Sequence, residues 1–183
     1  MRTVSQLLIA GLLAVVIAQA EVVDSLVAVV GSAAIKHSDV LRDVRMTAFL
    51  NKGSVKTDQK SQEEAMNRLI DQALIRQEIE AGAYELAAPS RVEEAVKPVQ
   101  ESYGGAVAFQ SALQRYGITA DDLRAYLRWQ ITVVDFVELR FGNGLAGDAT
   151  TASDHAPTAD PFIAWLDSAR KNQRIITKPE RLK

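Results

Sequence analysis

Residues 119–141 read TADDLRAYLRWQITVVDFVELRF, and the spacing of apolar side chains along them decides the fold class. Thr119 is placed to cap the amides of a first helical turn. Asp121 and Asp122 follow where a helix N-terminus favours negative charge. Leu123, Leu127, Ile131, Val134, Val137 and Phe141 then recur at three- and four-residue steps, which is one face of a long helix. Val133, Phe136 and Leu139 lie off that face, so the second half is apolar nearly all round. Such a helix is either enclosed by neighbours or leaves apolar surface for something else to cover.

Working back from this helix, Ala106 to Tyr116 reads as a short helix with Phe109, Ala112 and Leu113 inward, opened by the turn Tyr103-Gly104-Gly105 and closed by Gly117. Ser90-Arg91-Val92-Glu93 reads as a capping box starting a charged helix that Pro98 should kink or shorten. Ser61 to Glu64 is a second capping box, opening a helix that runs to about Leu86 before Pro89. Residues 54–60 are polar and read as a loop. Ser38 is expected to cap a first helix carrying Val40, Leu41, Val44, Ala48 and Phe49, with Gly53 as its left-handed cap. Before it, Leu26–Val30 and Ala33–Lys36 flank Gly31-Ser32, the pattern of a tight hairpin.

Beyond the long helix, Gly142-Asn143-Gly144 reads as its stop, and residues 143–159 read as a flexible link. Asp160-Pro161 is a helix start, with Phe162, Ile163, Trp165, Leu166 and Ala169 on the apolar side. Arg174-Ile175-Ile176-Thr177-Lys178 looks like a strand. A lone strand needs a partner, and the hairpin offers the other strands. The fold expected is therefore mainly α with a small β element, in which the C-terminal strand returns to the N-terminal hairpin.

The chain opens with Arg2, an apolar run from Leu7 to Ala18 and the small-x-small triplet Ala18-Gln19-Ala20. This is the layout of a signal peptide at residues 1–20, too short to span a bilayer comfortably. Its removal would leave one domain over residues 21–183, with 20 basic and 23 acidic side chains and no cysteine. That balance offers no basic footprint for nucleic acid. A chain exported without disulfides depends on its core.

Nothing in the sequence assembles a catalytic or metal site. His37 and His155 are the only histidines and stand far apart. Ser38, Ser61 and Ser90 are explained as caps, Asp121 and Asp122 as partners of the helix dipole, and the glycine pairs lack the lysine of a phosphate loop. No cofactor is called for. The aromatic residues are the remaining candidates. Trp129 and Phe136 lie away from the Leu123–Leu127–Ile131–Val134 face, which marks them as exposed apolar contacts, with Tyr126 and Phe141 beside them.

In order, residues 22–40 (VVDSLVAVVGSAAIKHSDV), 67–80 (NRLIDQALIRQEIE), 116–141 (YGITADDLRAYLRWQITVVDFVELRF) and 162–178 (FIAWLDSARKNQRIITK) resemble the N-terminal chaperone domain of SurA-type periplasmic proteins. The resemblance covers residues 21–142 and 160–178. It implies a helical body on which a C-terminal helix and strand fold back. It also implies an ATP-independent holding function for unfolded outer-membrane or secreted polypeptides, through apolar surface and a groove. Family members usually carry parvulin-type prolyl isomerase modules between the long helix and the tail; residues 142–159 are too few to hold one. The expectation is a non-enzymatic, periplasmic chaperone core with Tyr126, Trp129, Phe136 and Phe141 as client contacts. The alternative is a dimerising or single-partner module that uses the same surface.

Overall fold

The computed structural model describes residues 24–145 and 160–182. The expected signal peptide at 1–20, the greater part of the expected link (146–159) and His155 lie outside the described residues. The elements run β1 (Leu26–Val30), β2 (Ala33–Lys36), α1 (His37–Leu50), α2 (Gln59–Ala81), α3 (Pro89–Ser102), α4 (Ala106–Tyr116), α5 (Ala120–Leu145), α6 (Pro161–Asn172) and β3 (Ile175–Thr177), with a last 3-10 turn at Pro179–Arg181. The fold is mainly α with one small antiparallel sheet, as the periodicities predict.

The sheet has the order β2-β1-β3. Gly31 turns the hairpin at φ 58°, a conformation that costs glycine little. The tail strand pairs antiparallel with β1, setting Val29 against Ile176 and Val30 against Ile175. Lys178 N–H extends the ladder by donating to Val27 O at 2.7 Å. The first and last strands, β1 and β3, are thus one structural unit. Arg170 reinforces it from α6, with Nε 2.6 Å from an Asp71 carboxylate oxygen and a further bond to Asn67 O at 3.2 Å.

Several helix boundaries differ from the sequence reading, each for a local reason. α1 begins before Ser38, because the carboxylate of Asp24 accepts from both the Ser38 amide (3.1 Å) and the Ser38 hydroxyl. The cap thus comes from 14 residues upstream, and Ser38 is a donor. At the other end Lys52, not Gly53, takes the left-handed conformation, at φ 51°. α2 starts at Gln59 because Asp58 accepts from the Ser61 amide and hydroxyl at 3.0 and 2.9 Å. It stops at Ala81, short of Leu86, where Gly82 closes the helix and Ala83 turns at φ 52°. Pro89 opens α3 as its first residue, and the helix continues through Pro98 to Ser102. Val92 and Val96 are buried, and ion pairs tie α3 to α5, Arg124 to Glu93 (2.8 Å) and Arg91 to Asp135 (2.9 Å). α5 runs through Gly142 to Leu145. Its start is as expected: Thr119 Oγ1 accepts from Asp122 N–H (3.0 Å), while the Asp122 carboxylate accepts from Thr119 N–H (2.9 Å).

The core is divided. One cluster lies between the sheet and α2, built on Val27, Val30, Ile70 and Leu74. A second joins α1, α3, α4 and the start of α5 through Met46, Phe49, Phe109, Leu113 and Leu123. A third joins the ends of α2 and α5 to α6 through Ile75, Ile79, Trp129, Phe136 and Trp165. The first half of α5 thus belongs to one core and its second half to another.

Candidate functional site

Two of the aromatics marked as exposed are buried. Trp129 is 8% exposed and Phe136 1%. The inward stripe of α5 is Leu123, Trp129, Thr132 and Phe136, rotated from the Leu123–Leu127–Ile131–Val134 face that spacing alone selects. Val134 is 61% exposed. The rotation follows from where the partners sit. α2 and α6 cover the Trp129–Phe136 side, and α3 braces Asp135 through Arg91. Phe136 meets Tyr84 and Trp165 edge to face, at centroid distances of 5.1 and 5.8 Å. Phe141, half-buried, packs on Phe136, Phe162 and Trp165. The Arg140 guanidinium lies 5.6 to 5.9 Å from the Phe136, Phe141 and Trp165 rings. Phe136 and Phe141 dock the returning helix.

Tyr126 and Trp129 have a different setting. They border an open cleft of about 330 Å³ between α1, α2 and α5. The three apolar clusters approach one another here without fusing, contributing Leu69, Met46 and Trp129 respectively. Charged groups fill the rim. Arg42 bridges Asp39 (3.2 Å) and Asp122 (3.6 Å). Asp43 is buried and pairs with Arg68, its Oδ2 3.0 Å from Nε and 2.5 Å from a terminal nitrogen. Burial raises the Asp43 carboxyl above the ordinary range, partly offset by Arg68. Burial, with the Asp43 charge second, likewise raises the Tyr126 hydroxyl. Arg76 lies with its guanidinium 4.3 Å above the Trp129 ring.

A second hollow, of about 530 Å³, lies further along α5, between Thr132, Asp135, Phe136 and Leu139 and the Gly82–Glu85 turn. Leu139 is 73% exposed at its edge, and Leu86, next along the chain, is 50% exposed. The turn is fixed to the helix by Ala87 N–H donating to Thr132 Oγ1 at 3.0 Å and by Arg128 Nε–H donating to Ala87 O at 3.0 Å.

Sequence reasoning did not name Leu86, Val134 and Leu139, which are among the exposed large apolar residues: spacing put Val134 on the inward face and left Leu139 off it without separating it from Val133 and Phe136. It also missed Asp43, for which a signal exists: a carboxylate between Val40 and Val44 on the apolar face of α1. His37 reaches α2, its Nε2 2.8 Å from Gln62 Oε1. Among the described residues no three His, Cys, Asp or Glu side chains converge as a metal cluster would, and no helix is long and apolar enough to cross a membrane. In comparisons with known proteins, no family model and no curated protein matches the chain.

Proposed function

We propose that this chain is a periplasmic, ATP-independent holding chaperone for unfolded envelope or outer-membrane polypeptides. The observation that carries the reading is that two open troughs lie along α5 where apolar side chains meet solvent, one of them edged by the exposed Leu139, with Leu86 and Val134 exposed outside the troughs. Non-directional apolar contact inside a polar rim suits weak, reversible capture of many sequences and needs no nucleotide. The signal-like start and the likeness to SurA-type chaperone domains support the same conclusion.

The client contacts are reassigned accordingly. Tyr126 and the rim of Trp129 belong to the α1–α2–α5 trough, while Leu139, Leu86 and Val134 replace Phe136 and Phe141. At a near-equimolar ratio, the purified protein should suppress aggregation of a denatured outer-membrane protein. The triple variant Leu86→Gln/Val134→Gln/Leu139→Gln should keep its circular dichroism spectrum and lose most of that suppression. A folded wild-type protein that suppresses nothing rejects the proposal. If light scattering then finds a stable dimer that the triple variant dissociates, the same side chains serve self-association instead.

A further inference from the structure

We propose that the cleft between α1, α2 and α5 binds an extended polypeptide segment in which an apolar side chain is followed by an acidic one. The apolar group sits among Met46, Leu69 and Trp129, and the carboxylate sits on Arg76. This deepens the chaperone reading and rests on it, since it names the chemistry of the segment held.

Charge decides the occupant. Of the basic residues around the cleft, Arg42 is shared between Asp39 and Asp122, and Arg68 is taken by Asp43. Arg76 pairs with no carboxylate among the described residues. Its position is nevertheless fixed, because the guanidinium lies over the Trp129 ring at 4.3 Å. The contact is with the ring face, and the Arg76 N–H groups make no hydrogen bond among the described residues. A guanidinium that rests on a ring and has no carboxylate partner offers its planar fork of donors to an incoming carboxylate.

Shape decides the form. The α5 residues along the cleft run from Asp122 to Trp129. Seven residues of helix rise about 10 Å, the span of about three residues of extended chain. The cleft is open to solvent, so an internal side chain of an extended segment can enter it. The apolar seat sits beside the arginine, because Trp129 forms part of both. Gln72 lines the same wall, and the Tyr126 ring stands opposite on α5, so polar atoms are within the cleft for a passing backbone.

The test uses fluorescein-labelled, C-terminally amidated Gly/Ser decapeptides containing Phe-Asp, Phe-Asn or Ser-Asp, read by anisotropy at low ionic strength. The Phe-Asp peptide should bind about 5-fold tighter than Phe-Asn, the scale of one partly exposed ion pair. Ser-Asp should bind more weakly than both. Arg76→Gln should equalise Phe-Asp and Phe-Asn, whereas Arg115→Gln, an exposed control on α4, should leave the difference intact. Ala125→Glu, at an exposed position of the cleft wall, should weaken both Phe peptides. Equal binding of Phe-Asp and Phe-Asn, or a difference that survives Arg76→Gln, overturns the assignment. So does a preference for Phe at a free C-terminus over Phe-Asp, which would assign the site to chain ends. Aggregation suppression measured on the same samples keeps the two proposals apart: suppression without peptide discrimination removes the cleft assignment alone, and loss of both removes the chaperone reading as well.

Discussion

Replacing Phe136 by Ala separates a structural aromatic from a client contact. Phe136 is 1% exposed and touches three other rings, those of Tyr84, Phe141 and Trp165, at 5.1, 5.9 and 5.8 Å. Truncation removes the transfer free energy of the ring and leaves a cavity that these neighbours can fill only in part. The expected loss is about 3–5 kcal/mol. For a domain of this size that lowers the melting temperature by roughly 10 °C. Part of the loss is shared with α6, so a Phe136→Ala/Trp165→Ala cycle should show coupling of about 0.5–1.5 kcal/mol. Leu139→Gln is the counterpart on the same helix. Its side chain is 73% exposed, so stability should change by less than about 0.5 kcal/mol while aggregation suppression falls. Urea unfolding followed at 222 nm, beside a light-scattering aggregation assay, reads both variants. Were Phe136→Ala to cost less than about 1 kcal/mol and still abolish suppression, the ring would be a client contact and the packing account wrong.

Asp43→Asn tests the buried carboxylate. Burial raises the Asp43 pKa in the fold, so its charged form is less favourable there than in the unfolded chain. The wild type should therefore lose stability relative to the variant as pH rises from the unfolded value near 3.8 through the raised folded value, and match it more closely in acid. Denaturation at pH 3 and pH 7 measures the difference. Thr119→Ala removes the cap of α5 and should cost about 1 kcal/mol. Asp122 is the reciprocal partner, and the Thr119 hydroxyl is the main reason its pKa is lowered, so its contribution is present above the unfolded value and lost as pH falls through the folded one. Thr119→Ala should flatten that acid dependence in the same titration. Arg170→Ala removes partly exposed bonds to Asp71 and Asn67 O, at a cost of about 0.5–1 kcal/mol. Hydrogen exchange at the β3 amides should accelerate more than at α1 if the tail opens as a unit.

The elements were legible where one local rule acted alone. Gly31-Ser32 between β-prone runs gave the hairpin, Asp160-Pro161 gave the start of α6, and Ile175-Ile176 required a strand partner that only the hairpin supplied. Boundaries were misread where two signals competed within a few residues. Asp58 stands three residues before Ser61 and outcompetes it as a cap, since a carboxylate accepts from both the amide and the hydroxyl. Asp24 does the same to Ser38 across the hairpin, a partnership that no window of local sequence contains.

The site was less legible, for a reason peculiar to α5. Its second half carries apolar residues around most of its circumference, so periodicity cannot say which side α2 and α6 will cover. That choice is made by the tail, which lies some 20 residues further on in sequence and docks through Phe162 and Trp165. Because the large rings of Phe136 and Phe141 gain most from that contact, they turn inward and leave Val134 and Leu139 in solvent. The exposed apolar surface of α5 is then what remains after its aromatics are satisfied. Aliphatic side chains pack against partners with little demand on orientation, whereas rings prefer particular geometries. A surface of Leu and Val beside charged rims is therefore better suited to holding many unrelated chains than the aromatic face that the sequence alone suggests.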